Sequence, residues 1–162
     1  MQKRPLVGIV LGSVSDKPMM DECAKTLQEM EINFEITVSS AHRTPEKTRD
    51  YAMNASDRGI EVIIAGAGWA AHLAGVLASY TTLPVIGVPI DSSPLKGIDA
   101  LLSTAQMPPG IPVATMAIGS GGARNAAVFA AQILALKYAD VAKKLEAYRR
   151  GLQSRATGVG AD

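Results

Sequence analysis

Leu6-Val7-Gly8-Ile9-Val10-Leu11-Gly12-Ser13-Val14-Ser15-Asp16-Lys17-Pro18 decides between fold classes. Its first six residues form one unbroken apolar run. A strand covered on both faces has that pattern, whereas a half-exposed strand alternates. Gly12 to Asp16 break the run with small and polar residues. Pro18 suits the first turn of a helix, where its missing N–H is not needed. Met20, Cys23, Ala24 and Leu27 then recur at helical spacing. A doubly covered strand feeding a helix predicts a parallel sheet with helices on its faces.

The same punctuation repeats outward along the chain. Phe34 to Ser39 reads as a strand. It leads to a helix with Thr44 as N-cap, Pro45 at the first helical position and Glu46 behind it, ending near Gly59. Val62 to Ala65 is a third strand, and Gly66 to His72 lead into a small-residue helix reaching about Tyr80. Val85 to Val88 is fenced by Pro84 and Pro89, and Leu95 to Thr104 reads as a helix. Three prolines exclude regular structure over Met107–Pro112. Val113 to Ile118 is expected as a fifth strand, and Ala126 to Leu136 is apolar enough to require burial on every side. Strands alternating with helices predict an α/β chain: a three-layer α/β/α, flavodoxin-like, doubly wound domain on a five-stranded parallel sheet. It spans residues 1–153, with 154–162 as a small polar tail. The last helix carries a narrow seam of Tyr138, Val141, Leu145, Tyr148 and Leu152 among charged residues. The pattern allows that seam to dock on its own domain or on a neighbouring subunit.

Composition narrows the function classes. Basic and acidic residues number 16 and 15, so the chain lacks the basic excess of a nucleic-acid surface. Cys23 stands alone, which excludes an intrachain disulfide and a cysteine cage for a metal, and fits a reducing cytoplasm. Leu6 to Leu11 is too short for a signal core, and no apolar run reaches membrane-spanning length.

Polar residues with chemical capacity gather at strand-to-helix turns. Ligands of open α/β sheets bind outside the carboxyl ends of the strands. Ser13, Ser15 and Asp16 follow the first strand; the serines offer donors, and Asp16 can receive ribose hydroxyls or simply cap the helix. Ser40, His42 and Arg43 follow the second, pairing a proton carrier with a planar anion fork. His72 follows the third, and Gly119-Ser120-Gly121-Gly122 follows the fifth. Two histidines without cysteines or paired carboxylates make a poor metal site. There is no Walker loop and no complete dinucleotide fingerprint. The residues point to a pocket for a small phosphorylated molecule, with histidine moving a proton.

Gly12-Ser13-Val14-Ser15-Asp16, Ser40-Ala41-His42-Arg43-Thr44-Pro45, Ala70-Ala71-His72-Leu73, Leu83 to Pro89, Gln106 to Val113 and Asn125-Ala126-Ala127 occur in an order that resembles the N5-carboxyaminoimidazole ribonucleotide mutase family of purine synthesis. The resemblance covers about residues 6–136. It implies a homo-octamer whose last helix reaches a neighbouring subunit, with no metal or nucleotide cofactor. It makes His42 the acid/base and places Ser13, Ser15, Asp16, Ser40 and Arg43 on the ribonucleotide, with Arg43 on phosphate and Asp16 on ribose. His72, Gly68, Ala71 and Leu73 would line the base and the CO2 site. A related class carboxylates aminoimidazole ribonucleotide with free CO2 and typically carries lysine at position 43. A non-catalytic flavodoxin-like nucleotide or flavin binder is the alternative outside that family. The chain departs from the family pattern at Trp69, where a glycine is usual, at Ala74 in place of proline, and at Ser120 in place of lysine. Trp69 is expected either to wall the base pocket or to fill the subunit core.

Overall fold

The first strand, β1 (Val7–Leu11), is buried at every position. It sits between β2 (Phe34–Val38) and β3 (Val62–Ala67), pairing parallel with both. β4 (Val85–Pro89) and the short β5 (Ala114–Thr115) complete a five-stranded parallel sheet in the order β2-β1-β3-β4-β5. The computed structural model describes residues 4–157.

The helices are α1 (Lys17–Glu29), α2 (Pro45–Met53), α3 (Leu73–Ser79), α4 (Ile98–Ala105), α5 (Ser120–Ala135) and α6 (Ala139–Thr157). Strand side chains alternate between two cores, as the two-residue period requires. Val7, Ile9, Leu11, Val62 and Ile64 join α1, α5 and α6. Val10, Ile63 and Ala65 join α2 and α3. Neither face of the central strands meets water, which explains their unbroken apolar runs. The expected α/β/α stack on a five-stranded parallel sheet is what forms.

Several boundaries differ from expectation. β5 has two residues, although an apolar strand was expected over Val113–Ile118. The Met116 N–H still reaches the Gly87 carbonyl at 2.8 Å, and the Gly119 N–H reaches that of Pro89 at 2.9 Å. Pro89 has no N–H to return, so the ladder stops. α4 starts at Ile98, behind Gly97 in the left-handed region at φ 85°, not at Leu95.

α5 starts at Ser120, and it is not buried all round. Ala123, Ala126, Ala127, Ala130, Ala131 and Leu134 are buried, but Phe129 is partly exposed and Leu136, just past the helix, is 91% exposed. The sheet and the flanking helices cover one side of α5 and leave the other open.

Most of the α6 seam is engaged within its own chain, the first of the two destinations that its pattern allows. Val141 is buried in the core, and Tyr138, Leu145 and Tyr148 pack against it, leaving Leu152 exposed. Only a short turn separates α5 from α6, so α6 folds back onto the layer that α5 has just built. The Tyr138 hydroxyl and Lys137 Nζ both donate to Glu61 Oε1, tying this turn to the start of β3. α6 also runs through residues 154–157, which were read as tail; residues 158–162 lie outside the described residues.

Candidate active site

β1 lies between β2 and β3, so the connections leaving β1 and β3 diverge at their carboxyl ends and open a crevice. The cavity there holds about 610 Å³. Ser13, Ser15, Asp16, Ser40, His42, Arg43, Gly68, Ala71, His72 and Leu73 all line it. Residues from three strand-to-helix turns thus meet at one site.

The first turn is braced internally. Ser15 donates to Ser13 Oγ through its hydroxyl at 2.9 Å and through its backbone N–H at 3.3 Å. Asp16 is only 4% exposed and makes no side-chain capping bond to α1. Burial pushes its carboxyl above the ordinary value, partly offset by a backbone hydrogen bond from Ser13 and by the Arg43 charge. Gly12 lies against this carboxylate: a Cβ there would make ordinary contact with Asp16 Oδ2 at 3.4 Å.

The second turn is anchored from below. The Ser39 and Thr48 hydroxyls share a buried 2.7 Å hydrogen bond that joins the end of β2 to α2. Thr44 stands at the N-cap of α2 but spends its hydroxyl on the Ser40 backbone, accepting from the N–H at 3.0 Å and donating to the carbonyl at 3.1 Å. That closes the turn carrying His42 and Arg43. Arg43 Nε donates to Ser40 Oγ at 3.4 Å and its terminal nitrogen donates to the Gly12 carbonyl at 3.3 Å. Guanidinium has five N–H donors, so these two bonds orient the fork and leave capacity for an anion.

His42 Nε2 lies 2.7 Å from His72 Nδ1, with the rings edge to face at 82°. One nitrogen must donate and the other accept, so the pair links two turns 30 residues apart through a single proton.

The third turn is held tightly. A Cβ on Gly68 would collide with Ser92 Oγ and crowd the Ile90 carbonyl oxygen at 3.1 Å, so a larger residue there would have to turn Ser92 aside. Ser103 Oγ donates to the Ala70 carbonyl, tying the loop to α4. Trp69 and Ala71, on either side of Ala70, hold φ values of 54° and 43°. Trp69 is 60% exposed and lines the cavity, so within this chain it walls the pocket and does not fill the core.

Ser92, from the segment after β4, is a lining residue that sequence reasoning missed; its one signal was a polar run after a strand. The Gly119–Gly122 turn, expected at the same edge, does not line the cavity. It follows β5, two strands beyond β3, which places it away from the β1–β3 crevice. Cys23 is buried in the core, and burial pushes its thiol up to about 12, so it supplies no thiolate. Among the described residues no group of three or more His, Cys, Asp or Glu could hold a metal ion, and no helix is long and apolar enough to cross a membrane.

The chain matches the family model described as AIR carboxylase over residues 6–155. It is 58% identical over 149 residues to the N5-carboxyaminoimidazole ribonucleotide mutase of Pyrococcus abyssi, spanning 92% of this chain and 84% of that one. It is 54% identical over 146 residues to the protein of the same name in Bacillus subtilis, spanning 90% of each. The crystal structure of Treponema denticola PurE superposes with a TM-score of 0.85 at 29% identity, covering 96% of both chains.

Proposed function

The chain belongs to the AIR carboxylase family, and from that premise we propose that it is an N5-carboxyaminoimidazole ribonucleotide mutase. The reaction moves a carboxyl group from the exocyclic nitrogen of the substrate to ring carbon C4. The observation that carries this reading is the convergence of an anion fork, a buried carboxyl group and a paired imidazole on one cavity.

Arg43 grips the phosphate as a fork. Ser13, Ser15 and Ser40 supply short polar side chains around the ribonucleotide, and Asp16 accepts ribose hydroxyls. His42 donates a proton to the exocyclic nitrogen as the N–C bond breaks, leaving CO2 and aminoimidazole ribonucleotide. The amine lone pair makes C4 electron-rich. C4 attacks the enclosed CO2 to form the C–C bond, and His42 removes the C4 proton and recovers what it gave. The proton count closes, and neither an external base nor a nucleotide cofactor enters. Holding CO2 against C4 replaces a bimolecular encounter with an intramolecular one. Gly68, Ala71, His72 and Leu73 enclose that space.

The relatives of Pyrococcus abyssi, Pyrococcus horikoshii and Thermotoga maritima carry the mutase name, which favours this reading over carboxylation with free CO2. Arg43 stands where the carboxylating class typically carries lysine. A flavin carrier is disfavoured because, among the described residues, Trp69 is the only tryptophan, tyrosine or phenylalanine that lines the cavity. The protein is assigned to the cytoplasm as a homo-octamer; exposed apolar side chains such as Phe129, Leu102 and Leu136 support further association.

The test is to incubate purified protein with N5-carboxyaminoimidazole ribonucleotide, without ATP or added bicarbonate. The 4-carboxy product should accumulate. Product that appears only with aminoimidazole ribonucleotide and added CO2 would favour the carboxylase. No conversion under either condition would reject both.

A further inference from the structure

Trp69 stands where its backbone favours glycine. Its φ of 54° lies in the left-handed region, which strains residues with a bulky side chain. Its neighbours are held in place: Gly68 runs close to Ser92, and the Ala70 carbonyl accepts a hydrogen bond from Ser103 on α4. A glycine at position 69 would adopt this geometry without strain. Burial in the chain's own core does not offset the strain, because the side chain is 60% exposed. Trp69 nevertheless is among the residues that line the cavity, three residues before His72, which touches His42.

An indole borne by a residue of the same cavity as the two imidazoles offers a flat π surface that suits a flat aromatic ring. We propose that the Trp69 indole is the wall of the base subsite, stacking on the aminoimidazole ring and keeping released CO2 beside C4 until the new bond forms. This rests on the mutase reading and adds to it a residue that sets selectivity for a planar base and the fidelity of carboxyl transfer. Phosphate and ribose are held on the opposite turns by Arg43 and Asp16, so removing the indole leaves the ribonucleotide bound but its base uncovered.

The chain's single tryptophan makes the test direct, since all indole emission reports this position. Saturating aminoimidazole ribonucleotide should shift or quench the emission of the parent protein. Trp69→Gly should raise the melting temperature by releasing the strain. It should also weaken binding of that ribonucleotide about threefold to tenfold, the loss expected for one aromatic pair. With N5-carboxyaminoimidazole ribonucleotide, the same variant should release a larger share as free aminoimidazole ribonucleotide and CO2 at the expense of the 4-carboxy product. Trp69→Phe should restore most of both properties. Emission indifferent to saturating ligand, with binding established by calorimetry, would overturn the wall. So would a glycine variant equal to the parent in affinity and product partition. If the parent itself does not isomerise the substrate, the mutase reading falls and the wall falls with it. If the parent isomerises and the glycine variant matches it, only the wall falls.

Discussion

Asp16 is held in the fold against its own preference. Its carboxyl is nearly buried and its pKa is raised by desolvation. Between the ordinary value of 3.8 and the raised one, the folded chain binds the extra proton and the unfolded chain does not. Stability therefore falls as pH rises through that window, and the cost is complete at neutral pH. Asp16→Asn mimics the protonated form. It should melt at a higher temperature than the parent at pH 7, with the gap closing as pH falls below 3.8. The variant should lose ribonucleotide binding, since an amide is a poorer acceptor for ribose hydroxyls than a carboxylate. Equal melting temperatures at neutral pH would remove the burial argument. Arg43→Lys keeps the charge but loses the fork, and should weaken ribonucleotide binding by about 1–3 kcal/mol in calorimetry. Asn at position 42 keeps hydrogen-bonding capacity but cannot shuttle a proton, so His42→Asn should lower turnover ~10²–10⁴-fold at saturating substrate. His72→Asn should cost less, because His72 is assigned to holding His42 and shaping the pocket. A dead His72→Asn beside a near-normal His42→Asn would reverse the two roles. These positions were legible because each follows a recognisable strand, and strand ends of a parallel sheet share an edge. Ser92 was not, because it lies in the irregular segment after β4, where no helix start marks the turn. The direction of Trp69 was equally hidden, since composition carries no information on which way a strained loop projects a side chain.

At the scale of elements, the buried strands were legible and the last third of the chain less so. β1 and β3 are covered on both faces, and that shows in sequence as an unbroken apolar run. β5 shares the apolar character without the pairing, because the missing N–H belongs to Pro89 on the neighbouring strand. A single-strand pattern cannot report a partner's defect. The seam of α6 was correctly periodic, but periodicity identifies a buried face and not what buries it. The structure gives most of that face to the chain's own core. Val141, 4% exposed, separates the two destinations. If the seam stabilises the chain itself, Val141→Asp should lower unfolding free energy on the order of 3–5 kcal/mol, as expected for an uncompensated buried charge. Denaturant titration should show an earlier midpoint whatever the protein concentration. A folded variant of unchanged stability and reduced mass would assign the seam to an intersubunit role.

At the scale of the whole molecule, one chain leaves apolar surface without cover. Phe129 faces outward from α5 and Leu102 from α4, both at least 36% exposed. Phe129 also edges a groove with Leu83, Pro84, Ile111, Pro112 and Ile133, at the opposite end of β4 from the turn bearing Ser92. The apolarity of α5 was legible in its sequence, but a single chain does not cover all of that apolar surface. Isolated exposed apolar residues need no explanation, but a groove of them joined to a half-covered apolar helix is the surface that the proposed octamer would bury. The octamer reading makes this testable without disturbing the catalytic cavity, whose lining includes neither Phe129 nor Leu102. Phe129→Asp puts a charge on a partly exposed position, so the isolated chain should still fold. Assembly would have to desolvate that charge without a partner, which is unfavourable. Light scattering should give eight chain masses for the parent and a smaller species for the variant, with the same far-ultraviolet circular dichroism. An unchanged mass in a folded variant would show that this face is not where the copies meet. A monomeric parent would remove the octamer altogether while leaving the cavity and its chemistry in place.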